Sequence, residues 1–247
     1  NDKFLELSQH GYRTIAVAYR SIGVKTSYSV EDERDLTLLG FLVFTDPPKK
    51  DAHQAINKLK EMGVDVKILT GDNELVARKI CDELKIPVKR IVDGEDLTHM
   101  SSTEIKAVVE EATIFARITP EQKLDIIKAL KANKHVVGFM GDGVNDAPAL
   151  KTADIGVAMG VMGTDVAKEA AHMILLDDNF ATIVGAVQEG RTIYDNLVKF
   201  VRFQLGTNLG ALATVLGASL LGLPVPFNPV QILWVNIIMD GPPAMAL

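Results

Sequence analysis

A chain of 247 residues with net charge −6 and 47% hydrophobic residues can bury one large core or two smaller ones. Its acidic balance and lack of a basic block argue against a nucleic-acid partner, and its single cysteine, Cys81, excludes an internal disulfide and fits a reducing compartment. The opening Asn1-Asp2-Lys3-Phe4 carries no signal peptide and is expected to start mid-helix, inside something longer.

After that helix, Thr14–Tyr19 and Leu38–Phe44 read as strands on either side of a charged loop. Arg13 precedes the first strand, where an arginine is ordinarily surface charge. Thr45-Asp46-Pro47-Pro48-Lys49 reads as a hinge, because two prolines fix the backbone and start a helix. Ala52, Ala55, Ile56, Leu59 and Met62 then fall at helical spacing until Gly63 stops the run. Val64–Leu69 is a predicted strand ending in Thr70-Gly71-Asp72, with Asp72 or Asn73 capping a helix over 75–84 that carries Cys81 as a small hydrophobe. A threonine hydroxyl and free amides at such a junction can hold a phosphate, although capping alone also accounts for these residues.

A helix over 103–112 and a strand over 113–117 come next. Thr119-Pro120-Glu121-Gln122 is a capping box with proline at the first helical position. Lys123 on that first turn opposes the helix dipole, which is mildly unfavourable unless an anion is close. The apolar run 136–140 leads into Gly141-Asp142-Gly143-Val144-Asn145-Asp146-Ala147-Pro148, a buried strand, a tight loop and a helix start. Asp142 and Asp146 then stand at the carboxyl end of a strand, where open α/β sheets bind ligands. Two carboxylates with an amide between them repel unless a hard cation joins them, and Mg²⁺ is the ordinary choice. A solvated turn with Asp146 as a helix cap is the plainer alternative. Strands over 154–159 and 173–176 flank a helix over 164–171, and the alternation argues for a parallel sheet covered on both faces.

From Phe180 the pattern stays helical without proline until Pro224, which predicts one long helix. Composition changes near Phe203, after which only Asp240 is charged. Leu205–Leu223 and Pro229–Leu247 approach the ~20 apolar residues that a bilayer-spanning helix needs. Lys199 and Arg202 flank the first stretch and the turn between the two has no basic residue, so the large N-terminal part is expected in the cytoplasm. A buried core hairpin is the alternative. Asn208, Asn236 and Asp240 are costly in lipid and default to function, although Asn208 could equally join two helices. Asn236 and Asp240 share a helix face, and Gly241-Pro242-Pro243 is expected to break the helix and free carbonyls beside the carboxylate.

The GDGVNDAP octet at 141–148 resembles the hinge motif of P-type cation-transporting ATPases, and further matches extend across essentially the whole chain. The resemblance implies an α/β, haloacid-dehalogenase-like parallel-sheet phosphorylation domain over 46–179. The end of a nucleotide-binding domain would precede it over 1–45, and a transmembrane helical hairpin would follow over 180–247. It implies ATP and Mg²⁺ as cofactors. Arg13 would then reach the nucleotide phosphates, while Thr70, Gly71 and Asp72 would position the phosphate and the attacking water. Arg117 and Lys123 match a motif whose lysine neutralises the transferring phosphoryl group. Asp142 would hold Mg²⁺, with Asn145 and Asp146 keeping the loop and the Mg²⁺ shell in place.

The run from Gln231 to Ala244 resembles the sixth membrane helix of calcium pumps, most closely the secretory-pathway type that carries Ca²⁺ and Mn²⁺. That makes Asn208, Asn236 and Asp240 ligands of a transported divalent cation, Ca²⁺ first, with Mn²⁺ or Mg²⁺ as alternatives. Ala211 stands where two-site calcium pumps have glutamate, and Met245 where the secretory-pathway type has glutamine. Met140 replaces the threonine common before GDG, as in the magnesium-transport branch. The family's chemistry also needs the aspartate of a DKTGT motif, which this sequence lacks. The chain alone is therefore expected to be inactive, with the missing N-terminal part of a pump as its partner. The absent motif would form the central strand, so 64–69 and 136–140 would each lack a neighbour. Asp46 is the one substitute nucleophile, and the prolines after it lack amides to hold a phosphate. Other readings are a non-catalytic membrane-anchored subunit complementing a split pump, and a stand-alone phosphatase, which the missing nucleophile disfavours.

Overall fold

The computed structural model describes residues 2–246 apart from 25, 46, 47 and 50, and of residues 2, 240 and 243–246 it describes the backbone only. The Asp46–Pro47 part of the predicted hinge, the substitute-nucleophile reading of Asp46, and the side chains of Asp240 and Met245 thus lie outside the described residues. The chain forms two compact units, Asn1–Ile183 and Val184–Leu247.

The first unit opens with α1 (Asp2–Gln9) and an antiparallel ribbon of β1 (Arg13–Tyr19) and β2 (Thr37–Phe44). There follow α2 (Ala52–Glu61), β3 (Ile68–Leu69), α3 (Glu74–Glu83), β4 (Ile91–Asp93), α4 (Gly94–His99), α5 (Ser102–Glu111), β5 (Ile114–Ala116) and α6 (Pro120–Ala132). The unit is completed by β6 (Gly138–Gly141), α7 (Ala147–Thr152), β7 (Ile155–Met159), α8 (Asp165–Ala170) and β8 (Met173–Leu175). Two three-stranded parallel sheets result, ordered β3-β5-β4 and β6-β7-β8.

The central strand of the first sheet shows why parallel strands read as unbroken apolar runs: Ile114, Phe115 and Ala116 are all fully buried. Alternate side chains of a strand point to opposite faces. Phe115 accordingly packs with Val108, Val109 and Ile126 from α5 and α6, while Ile114 and Ala116 pack with Ala52, Ala77 and Cys81 from α2 and α3. Helices therefore cover both faces. In the second sheet, Leu150 of α7 lies against Ala158 of β7 and Ala167 of α8. Gly156 is required there, because a Cβ at that position would fall 2.2 Å from the carbonyl oxygen of Leu150. Burial pushes the Cys81 thiol up to about 11, in keeping with an inert core residue.

Several expectations are corrected. The strand predicted over 64–69 is only Ile68–Leu69, because the segment before it is still closing the turn after α2: Gly63 takes φ +74° and the Val64 amide donates to the Leu59 carbonyl. The strand expected from Val136 begins at Gly138, since the Val137 amide is taken by the Asp154 side chain. β4 and α4 were not anticipated. Among the described residues β3 pairs only with β5 and β6 only with β7, so each leaves one edge open.

The long helix is a single element, α9 (Phe180–Leu220), followed by α10 (Pro229–Ala246). The break expected at Gly241-Pro242-Pro243 is absent, as α10 runs through it. Prolines there still remove amides that would bond four residues back, so the carbonyls of Ile238 and Met239 lose their helical donors without a break. Among the described residues no helix is long and apolar enough to cross a membrane. Gln204, Thr207 and Asn208 dilute the apolar part of α9, so the expected transmembrane hairpin is present only as a pair of helices.

Candidate active site

Two loops at the carboxyl ends of β3 and β5 are knitted together by their main chains. After β3, the Thr70 hydroxyl accepts the Asp72 amide (3.0 Å) and donates to the Asp72 carboxylate (3.3 Å). Asn73, rather than Asp72, caps α3 by accepting the Val76 amide (3.0 Å). After β5, the Arg117 amide donates to the Asp72 carbonyl (2.9 Å) and the Ile118 amide to the Thr70 carbonyl (3.1 Å). Arg117 sits at φ +50°, a conformation an L-residue adopts only when its surroundings impose it. Its carbonyl lies against Gly94, where a Cβ would approach to 2.3 Å. Its guanidinium reaches Asp93 (3.7 Å), and Arg13 reaches Asp72 (3.6 Å) from β1. Arg13, Thr70, Gly71, Asp72 and Arg117 thus gather on one patch.

The capping box forms as its residues dictate: the Thr119 amide donates to Gln122 Oε1 (2.9 Å) and the Gln122 amide to Thr119 Oγ1 (3.3 Å). Gln122 also donates to the Gly94 carbonyl (2.7 Å), fixing α6 against the turn that holds Arg117. Lys123, misplaced by the dipole argument, finds its anion in Asp146: Nζ lies 2.8 Å from Oδ1, with side-chain exposures of 19% and 10%. Removing either partner would strand a largely buried charge. The second oxygen of Asp146 accepts the Gly143 amide (3.4 Å). A Cβ at Gly141 would come within 2.6 Å of the Asp146 Cβ, so glycine is needed for this carboxylate to fold back over the strand end. Asp142 and Asn145 are exposed on the same loop, and the Asp142 carbonyl accepts the Thr164 amide (2.9 Å).

Among the described residues no group of three or more His, Cys, Asp or Glu side chains is placed to hold a metal. An exposed carboxylate at Asp142 beside Asp146 nevertheless suits Mg²⁺, which takes one or two carboxylates and completes its shell with phosphate oxygens and water. In the second unit, Asn208 of α9 and Asn236 of α10 line one cavity of about 40 Å³ together with Thr207 and Ala211. The Asp240 side chain is outside the described residues. Asp93, Gly94 and Gln122 escaped sequence reasoning as supports of the Arg117 turn. The only available signal was the Asp-Gly pair at 93–94, which by itself reads as a turn.

The family model described as haloacid dehalogenase-like hydrolase matches residues 5–154, and that described as cation transporting ATPase, C-terminus, matches residues 224–247. A calcium-transporting ATPase of Bacillus subtilis is 50% identical over 98% of this chain and 27% of its own length. Calcium-transporting ATPase 1 of Saccharomyces cerevisiae is 44% identical over 98% of the chain and 26% of its own length. The human calcium-transporting ATPase type 2C member 1 is 48% identical over 86% of the chain and 23% of its own length. The chain therefore spans about a quarter of the length of these relatives. On the match over residues 5–154 the chain belongs to the haloacid dehalogenase-like hydrolases, and over nearly its whole length it is similar to part of the calcium-transporting ATPases.

Proposed function

We propose that this chain supplies the phosphate-handling loops and part of the ion path of an ATP-driven divalent-cation pump. The observation that carries the reading is the Lys123–Asp146 pair, which joins the first turn of α6 to the GDGVND loop beside the knitted Thr70–Asp72 and Arg117–Ile118 segments. Lys123 offsets charge on the transferring phosphoryl group. Thr70, Gly71 and Asp72 orient that group and the attacking water, and Arg13 and Arg117 face the nucleotide phosphates. Asp142 holds Mg²⁺, with Asp146 and Asn145 setting the loop. When bound, Mg²⁺ supplies charge neutralisation at the phosphate oxygens. Catalysis of this kind is mostly positioning and electrostatics.

The phosphorylated aspartate comes from outside these residues, on a strand that seats between the open edges of β3 and β6. Residues 1–45 serve as the end of a nucleotide-binding domain, 46–179 as the phosphorylation domain, and 180–247 as the membrane part, with the body in the cytoplasm. The near-absence of charge after Phe203 supports a lipid environment for the helix pair, as does the match of its last residues to the cation-ATPase model. Asn208, Asn236 and Asp240 bind the transported ion, with Ca²⁺ preferred because the relatives are calcium-transporting. Ala211 in the shared cavity favours a single ion site.

Phosphoenzyme formation tests the reading. The chain combined with a polypeptide carrying the upstream half and its DKTGT aspartate forms an acid-stable phosphoenzyme from ATP. Lys123→Ala slows that step about 100-fold, and the chain alone forms none. No phosphoenzyme from the combination refutes the proposal, and one from the chain alone places the nucleophile within these residues.

A further inference from the structure

One buried carboxylate has no part in the chemistry above. Asp178, just before α9, is 5% exposed and takes φ +49°. Its Oδ1 accepts the amides of Gly160 (2.6 Å) and Val161 (3.1 Å), and its Oδ2 accepts that of Met162 (2.8 Å). Three successive amides aimed at one point form an anion-binding nest, here filled by a side chain of the same protein. Burial alone would raise this carboxyl. The three amides and the nearby Lys49 charge outweigh it and hold the group below the usual aspartate range.

The contacts continue in both directions. Past Met162, the Thr164 amide donates to the Asp142 carbonyl (2.9 Å), so the turn gripped by Asp178 also holds the GDGVND loop. On the other side, Lys49 donates to the Asp178 carbonyl (2.6 Å), and Asp51 accepts the Phe180 amide at the first residue of α9 (3.2 Å). Asp177 adds a local tie by accepting the Asn179 amide (3.1 Å) and the Thr182 hydroxyl (2.8 Å). The carboxylate joins the turn after β7 to this anchored helix root, and the Gly160 amide is shared with the Leu175 carbonyl (2.8 Å) at the end of β8.

We propose that Asp178 is a positioning residue that transmits the state of the Asp142 loop to the first turn of α9 by gripping the amides of 160–162. The inference rests on the proposed function only in taking Asp142 as the Mg²⁺ end. Asparagine keeps one acceptor oxygen but turns an NH₂ towards the third amide, so Asp178→Asn loosens the grip with little change in size. The control is Asp154→Asn, which loses a carboxylate bonded to a single amide, that of Val137, away from the turn.

Hydrogen–deuterium exchange on the full chain, with Mg²⁺ as the only added ligand, provides the test. In the wild type, Mg²⁺ slows exchange at 141–146 and also at 160–164 and 178–183. In Asp178→Asn the response stays at 141–146 alone, and in Asp154→Asn all three segments respond. Without metal, Asp178→Asn speeds exchange at 160–162 about tenfold and carries 141–146 with it. A wild-type response confined to 141–146, or a linked response that survives in Asp178→Asn, overturns the proposal. No wild-type response at all refutes the Mg²⁺ assignment instead. The metal-free comparison then decides the clamp, because faster exchange at 160–162 with 141–146 unchanged overturns it. Should Asp178→Asn not fold, Asp178→Glu takes its place in every arm.

Discussion

The strands of the parallel sheets and those of the β1–β2 ribbon draw on the same residue types yet occupy opposite environments. Ile114, Phe115, Ala158 and Leu175 are all at or below 2% exposure, and helices cover both faces of the first sheet. The ribbon has comparable Ile, Leu, Val and Phe content, and no residue of either strand is buried. Leu39 is 70% exposed and Ile15 51%. Side-chain type makes both regions extended, but only the first has a layer to pack against, and an isolated two-stranded ribbon is marginal in water. Strand formation and stability are separate properties here, and the apolar faces of the ribbon are open. A nucleotide-binding domain ending over residues 1–45, as proposed above, would supply the layer they lack.

The largest effect that can sharpen this contrast comes from the centre of the first sheet. Phe115→Ala removes a fully buried ring from the cluster shared with α5 and α6, and is expected to cost about 3–5 kcal/mol. Urea unfolding followed by far-UV circular dichroism should show the midpoint falling with little change in slope. A loss under about 1 kcal/mol would mean that the sheet tolerates a void, and the contrast with the ribbon would dissolve.

A smaller effect belongs to pH. Asp154 accepts the Val137 amide (2.9 Å) and pairs with Lys131 (2.9 Å), and these two contacts hold its carboxyl below the ordinary aspartate value of 3.8. A carboxyl depressed in the folded state contributes stability that is complete above the unfolded value and is lost as pH falls through the folded one. The melting temperature of the α/β body should therefore decline as pH drops below about 4, and Asp154→Asn should flatten part of that decline. The side chain is about a third exposed, so solvent screens the pair and keeps the gain modest. An unchanged pH profile in Asp154→Asn would remove this carboxylate from the account.

What could be read from the sequence was what short-range chemistry fixes. The Thr119–Gln122 box, the stop at Gly63 and the glycine-flanked Asp142 loop each depend on residues within a few positions of one another. The conflict at Lys123 was legible as a conflict, but its resolution by Asp146, 23 residues on, was not. The same holds for β4, a three-residue strand too short to show periodicity, which is placed by pairing with β5. Gln122 reaches Gly94 across 28 residues, and Asp178 reaches its amides across 16 to 18. Such partners carry no local signature. At Gly241-Pro242-Pro243 a local rule failed in the other direction, since α10 continues through residues that usually end a helix.

The smallest predicted effect tests the ribbon itself. Leu39→Thr introduces a β-branched residue suited to a strand and trades a 70% exposed apolar side chain for a polar one. Little packing is lost, so stability should stay within about 0.5 kcal/mol of the wild type, while solubility improves as an exposed apolar patch shrinks. Both are measurable on the same preparation, by urea unfolding and by light scattering over a concentration series. A loss of about 2 kcal/mol would put Leu39 in a packed environment in solution. If that loss vanished on dilution, the cover would be a second copy of the chain, because only an intermolecular contact makes stability depend on protomer concentration. Persistence at every concentration would place the cover within the chain itself, and the ribbon would then join the core from which its exposure now separates it.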